Sequence, residues 1–395
     1  MKITRRLFAF LAFTTSLAVL ALAGAAGRPA ASHSFLVLVG TYTNKTDSKG
    51  IYAYEFDAET GKLAAKGLAV ATPDPSFVAI HPNGKFVYAV NESGKQSAVS
   101  AFALDAQSGK LTPLNQLPAL GEDPCYLTFD KTGKYVLIAN YTSGNVVVFP
   151  ILADGKLGEH TALVTDTGTP GPNKARQEGP HAHWVKDLGG EVFVADLGLD
   201  RVMAYRFDPA KGTLGQMPAA GARDPFPQGP VELDGGTGPR HVAFSRSGRI
   251  MYVLGELDST VTRFVATKEG VFNRGLAKYP MLPAGFSGRN DAGEIEIHPN
   301  GKFLYASNRG RDSIAVYAID QDYWGKLTKV GDFPTGGKEP RHFAIDPTGR
   351  FLLAENQLSN SIVVFGIDPA TGALTQVSKT DGVPSPVCLA FLPTP

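Results

Sequence analysis

Residues 75–92 read Pro75-Ser-Phe-Val-Ala-Ile-His-Pro-Asn-Gly-Lys-Phe-Val-Tyr-Ala-Val-Asn-Glu92: an apolar run, a glycine turn, then a second apolar run ending on a polar pair. The turn recurs as Asp130-Lys-Thr-Gly-Lys134, Lys186-Asp-Leu-Gly-Gly190, Ser245-Arg-Ser-Gly-Arg249, His298-Pro-Asn-Gly-Lys302 and Asp346-Pro-Thr-Gly-Arg350. Counted from His81, successive copies start 49, 56, 59, 53 and 48 residues apart, the spacing of propeller blades and too long for helical solenoids. Each copy reads strand, tight turn, strand, and an alternating third strand follows, as in Asn145-Val-Val-Val-Phe149. A second turn of the type Asp57-Ala-Glu-Thr-Gly-Lys62 leads to a fourth strand. Four short strands per unit predict an all-β fold, a β-propeller of four-stranded blades.

Two fragments remain outside the six full copies. Phe35–Val39, Gly50–Phe56 and Lys62–Ala65 match second, third and fourth strands, and Pro386–Leu392 matches a first strand. Joined, they make a seventh blade closed by the N-terminal strands and the C-terminal strand, which leaves no open sheet edge. Residues 35–395 are therefore expected to form a single seven-bladed domain.

Ahead of it, Met1-Lys-Ile-Thr-Arg-Arg6 is basic, Leu7 to Leu22 is predominantly apolar, and Ala21-Leu-Ala-Gly-Ala-Ala26 offers small-residue cleavage sites. Residues 1–26 thus read as an export signal peptide, with a twin-arginine-like Thr4-Arg5-Arg6-Leu7-Phe8, and residues 27–34 as a short linker. The mature chain is expected in the periplasm or secreted, as a monomer with no stable membrane association after signal removal. Removing Lys2, Arg5 and Arg6 from 38 basic residues leaves 35 against 37 acidic ones, a balance that gives no electrostatic reason to bind nucleic acid. Cys125 and Cys388 fall in first strands of blades that do not touch, so they are expected free and buried. No metal-ligand spacing, P-loop or dinucleotide fingerprint is present, and no metal or cofactor is implied.

In a propeller the starts of first strands and the ends of second strands open on one face. The starts are Ser76, Cys125, His181, Arg240, Gly293, Arg341 and Val387; the ends include Asn140-Tyr141, Asp196-Leu197, Gly255-Glu256 and Asn308-Arg309. The strand interiors stay apolar from blade to blade, while His181, Arg240, Glu256 and Arg309 depart most sharply, all in blades 4 to 6. The connectors 164–180, 217–239 and 280–293 are the longest, and they are expected to wall a pocket on that side of the channel mouth.

Val39-Gly-Thr-Tyr42, Ala139-Asn-Tyr141, Arg176-Gln-Glu-Gly-Pro-His-Ala-His183, Asp196-Leu-Gly198, Gly238-Pro-Arg-His241, Gly255-Glu-Leu257 and Ser307-Asn-Arg-Gly310, in that order, resemble the seven-bladed propeller lactonases. That group contains the bacterial propeller-type 6-phosphogluconolactonase and the fungal carboxymuconate cyclase, and the likeness spans nearly everything after the leader. The resemblance places catalytic roles on His181, Arg240, Glu256 and Arg309 and implies hydrolysis of a sugar lactone or acidic sugar derivative. Glu256 is the expected general base, a role that gains if burial raises its pKa, and His181 the acid; the two arginines would hold acid groups and the oxyanion. Arg176, Gln177, His183, Asn140, Glu294 and Arg341 are the expected substrate-binding residues. Two other readings stand beside the hydrolase: an intramolecular lyase that closes a lactone from an unsaturated dicarboxylate, and a non-catalytic exported propeller that binds a ligand.

Overall fold

The computed structural model describes residues 34–216, 229–272, 275–322 and 324–393. The expected signal peptide and linker lie outside that range up to residue 33, as does 217–228 of the second long connector; Ser34, read above as linker, already begins a strand.

Seven antiparallel sheets form the seven blades. Blade 1 takes its first strand, Pro386–Pro393, from the C-terminus and the rest from Ser34–Thr41, Gly50–Asp57 and Lys62–Ala71. Val37 pairs with Phe391 and Val39 with Leu389, so the ring is closed by both ends of the chain. Blade 4 departs from the pattern: Val231–Glu232, inside the second long connector, adds a fifth strand against Arg201–Asp208. Among the described residues the helical content is two three-residue 3-10 turns.

Strand alternation explains why the second strands are apolar at nearly every position. Leu36 and Leu38 point toward blade 2 and pack with Val87, Ala89 and Phe102; Phe35, Val37 and Val39 point toward blade 7 and pack with Leu353, Ile362 and Val364. Both faces of each blade are thus buried, and an apolar layer fills every one of the seven interfaces around the ring.

The repeated turn also joins neighbouring blades. His81 and His298 each reach the carbonyl of the equivalent glycine in the next blade, Gly133 at 2.8 Å and Gly349 at 2.7 Å. A buried tyrosine two residues into the second strand does the same at another level. Tyr88, Tyr252 and Tyr305 donate to the carbonyls of Gly155, Gly325 and Gly372, in the turn between the third and fourth strands of the following blade. Those glycines have φ of +84°, +55° and +75°, the left-handed region that favours glycine.

Candidate active site

At the channel mouth most first strands begin with a bulge. The register slips between Pro124 and Tyr126, Ala182 and Trp184, Pro239 and Val242, Ala292 and Ile295, and Pro340 and His342. A bulge frees residues from the ladder and re-aims their side chains, which here puts Cys125, His183, Arg240 with His241, Glu294 and Arg341 at the channel. Gly293 lies in the blade 6 bulge because a Cβ there would meet Ser307 Oγ at 2.6 Å and the Arg341 carbonyl at 2.8 Å.

Glu256, 3% exposed, is the hub. Its backbone N–H donates to Gly238 O at 2.8 Å, holding it over the start of the neighbouring strand. Oε2 accepts from Arg240 Nη1 at 2.8 Å and pairs with Arg309 Nη2 at 3.0 Å, while Oε1 accepts from Arg176. Burial alone would push this carboxyl up, but Arg309, Arg240, His183 and Arg176 together outweigh it and hold it well below the usual carboxylate range. The condition that would favour Glu256 as a base, a pKa raised by burial, is not met in the resting site, where it is an ionised anchor.

The arginines are fixed by backbone. Arg240 Nε donates to Gly293 O at 2.5 Å and Arg309 Nη2 to Ala292 O at 2.9 Å. Arg309 Nε is buried without a partner, and burial pushes its guanidinium down to about 10. His183 accepts from Arg240 at Nε2, so its proton sits on Nδ1, 3.6 Å from Cys125 Sγ. Burial and the Arg240 charge keep that ring neutral, its pKa well below the ordinary histidine value.

His181 stands at the rim. Its Nδ1 donates to the Tyr141 carbonyl at 3.0 Å and its ring stacks on Tyr141, centroids 4.6 Å apart, which leaves Nε2 as the ring nitrogen turned to the site. Glu178 Oε1 lies 3.3 Å from that Nε2.

Arg176 arrives on the loop between blades 3 and 4. Gly198 lets that loop pack down, since a Cβ there would sit 1.8 Å from Gly179 O, and Gln177 pins it by donating to Leu197 O at 2.9 Å. The loop therefore folds onto the site instead of standing up as a wall. The largest cavity described at this mouth, about 660 Å³, lies on the blade 1, 2 and 7 side beside Tyr42, Asp74, Glu92 and Gln357, opposite to the side expected from connector length.

His181, Arg240, Glu256, Arg309, Arg176 and His183 thus gather at one place, and the other expected contacts separate from them. Gln177 is spent on its loop, with Asn173 N–H on its Oε1. Asn140 donates to Ala119 O and to Asn145, and Asn91 and Asn356 grip Pro73 O and Thr335 O in the same way, so Asn140 belongs to the repeat. Arg341 donates to Tyr42, which in turn donates to Glu92, across the channel. Glu294 is paired with His241 at 2.8 Å and His342 at 3.4 Å, one level below the mouth. Asp291, 3.6 Å from Arg176, and Tyr141 join the site unannounced. Tyr141 was visible beside Asn140 at a strand end, whereas Asp291 stands opposite Arg309 at the start of its strand, ahead of the bulge, where no repeat position marked it. Among the described residues no group of three or more His, Cys, Asp or Glu could hold a metal ion.

The family model of the seven-bladed β-propeller lactonases matches residues 36–391. A 6-phosphogluconolactonase of Bacillus subtilis is 35% identical over 360 residues, 91% of this chain and 98% of its own. A second, from Formosa agariphila, is 33% identical over 317 residues, 78% of this chain and 85% of its own. Among solved structures, a periplasmic gluconolactonase of Pseudomonas aeruginosa aligns with a TM-score of 0.83 at 32% identity, covering 92% of this chain and 100% of that one.

Proposed function

The chain belongs to the seven-bladed β-propeller lactonase family, and on that premise we propose that it is a carboxylic ester hydrolase that opens a sugar lactone at the mouth of its central channel. The observation that carries the reading is the set of three guanidiniums, Arg176, Arg240 and Arg309, on the single carboxylate of Glu256. Asp291, 3.6 Å from Arg176, is itself held by Arg289 at 2.6 Å, so a surplus of positive charge remains, which suits a developing oxyanion and the carboxylate released when the ring opens.

In this mechanism the lactone carbonyl oxygen takes a place among the arginines. Arg176, whose side chain is 35% exposed, is the one free to leave Glu256 for it. Each guanidinium drawn off lets the Glu256 pKa climb, so substrate binding converts the anchor into a base that accepts a proton from the attacking water. The tetrahedral oxyanion is held by Arg240 and Arg309. As the ring C–O bond breaks, His181 Nε2 gives its proton to the leaving alkoxide, and the proton taken up by Glu256 returns to it through solvent.

We read the substrate as a plain aldonolactone met outside the cytoplasm. The predicted export signal supports this, and so does the likeness to a protein described as a periplasmic gluconolactonase. The surplus positive charge and the 6-phosphogluconolactonase relatives favour the phosphorylated lactone as the second reading. The test is ring-opening of glucono-1,5-lactone and of its 6-phosphate, side by side, by the mature chain and by Glu256→Gln and Arg309→Ala. Loss of at least about a hundredfold in kcat for both variants is expected; unchanged turnover in both would end the assignment. Incubation with a carboxymuconate, followed by ultraviolet absorbance, separates the lyase.

A further inference from the structure

The channel holds a second chamber at the end away from Glu256. Past Arg240 and His241 the first strand of blade 5 presents Val242, Ala243 and Phe244 to it, and together with residues of the other six blades these enclose about 340 Å³. Between chamber and mouth the channel shrinks to about 10 Å³ beside Arg240, His241, Arg341 and His342, room for a single water. Whatever occupies the chamber enters from the face opposite the lactone site.

Its walls are aromatic and incompletely covered. Phe77, Tyr126 and Phe244 are half-buried, with Phe77 and Tyr126 ring centroids 4.3 Å apart and Tyr126 and Trp184 centroids 6.0 Å apart. The exposed lining is more polar than apolar, aromatic rings set beside Lys186, Glu294, Glu296 and His342, and a concave site of that kind can hold a small molecule with both a ring and a charge. One of those groups is a solvent-exposed cation. Lys186, at the end of the first strand of blade 4, lines the chamber, and among the described residues its ammonium has no hydrogen bond or ion pair.

The other charges there are already engaged. Glu294 is shared by His241 and His342, and His342 donates to Glu355 at 2.7 Å. Glu296 accepts the Ile345 N–H at 2.9 Å, and burial raises its carboxyl to about 8, so near neutrality it offsets the Lys186 charge only in part.

We propose that this chamber binds a small aromatic carboxylate, its ring against Phe77 and Tyr126 and its carboxylate on Lys186. The assignment does not depend on the reaction proposed at the mouth. The chain has two tryptophans, Trp184 and the exposed Trp324, so Trp324→Phe leaves Trp184 as a fluorescence reporter inside the chamber. Benzoate is titrated against this protein, with benzyl alcohol as its uncharged counterpart. A saturable change with benzoate is expected, at least tenfold weaker with benzyl alcohol and at least tenfold weaker after Lys186→Met, with no displacement by saturating gluconate. Ala344→Leu, which fills the chamber without touching a charge, should weaken benzoate as well. No saturable signal, equal benzoate affinity in Lys186→Met, or displacement by gluconate overturns the proposal.

Discussion

At the scale of single residues the site is an electrostatic problem solved around Glu256. Three guanidiniums and one carboxylate share a nearly dry space, so deleting the carboxylate charge leaves like charges facing each other. Breaking a buried pair in this way costs about 3–5 kcal/mol, and Glu256→Gln should lower unfolding stability by about 3 kcal/mol in urea. The loss should be largely reversed by gluconate or phosphate, because an anion present at a hundred times its Kd restores about 2.7 kcal/mol. Restoration by neither anion would mean the arginines do not form an anion site. The pH dependence has a fixed sign. Glu256 is depressed in the folded state, so its contribution is present above the unfolded carboxyl value near 4.5 and is lost as pH falls through the lower folded value. Stability of the parent should therefore drop more steeply below pH 4.5 than that of Glu256→Gln.

At the scale of the element, the blade repeat was readable because each strand alternates between two buried faces and each turn needs a left-handed glycine; these requirements return in every blade. Tyr88, Tyr252 and Tyr305 show how far the repeat reaches, each bonded to a glycine carbonyl of the following blade. Tyr252→Phe should cost about 1–2 kcal/mol, since the Gly325 carbonyl loses its buried donor, and Tyr88→Phe and Tyr305→Phe should cost about the same. A cost in one blade alone would show the bond to be local. The four residues that depart most sharply from this repeat were also legible, and the structure brings them to one end of the channel. The finer assignments were less so, for identifiable reasons. Asn140 looks like a mouth residue in one blade and is seen as a loop clamp only when Asn91 and Asn356 are traced to their own carbonyls. Glu294 was expected as a substrate contact, but it lies within the bulge between Ala292 and Ile295 and is paired with His241. Bulges carry no residue signature here, so the depth of a side chain in the channel could not be read from spacing.

At the scale of the whole molecule, everything at the mouth depends on the ring being closed, because the cluster draws on blades 3 to 6 and each blade is held by its two neighbours. Closure rests on Pro386–Pro393, whose Val387, Cys388 and Leu389 are 3%, 1% and 5% exposed and whose strand pairs along Ser34–Thr41 from Phe35 to Thr41. Burying Val387 and Leu389 contributes about 1.5–3 kcal/mol each, and removing the strand also opens the edge of blade 1 along its length. Small globular domains retain only about 5–15 kcal/mol in total. A chain ending at Ser385 should therefore lose its cooperative transition and associate through the exposed edge, seen as a concentration-dependent rise in mass by light scattering. Adding a synthetic peptide of residues 386–393 should return both the monomeric mass and the lactone-opening rate. A truncated chain that stays monomeric and melts at the parental temperature would mean that closure by the terminal strand does not hold the ring.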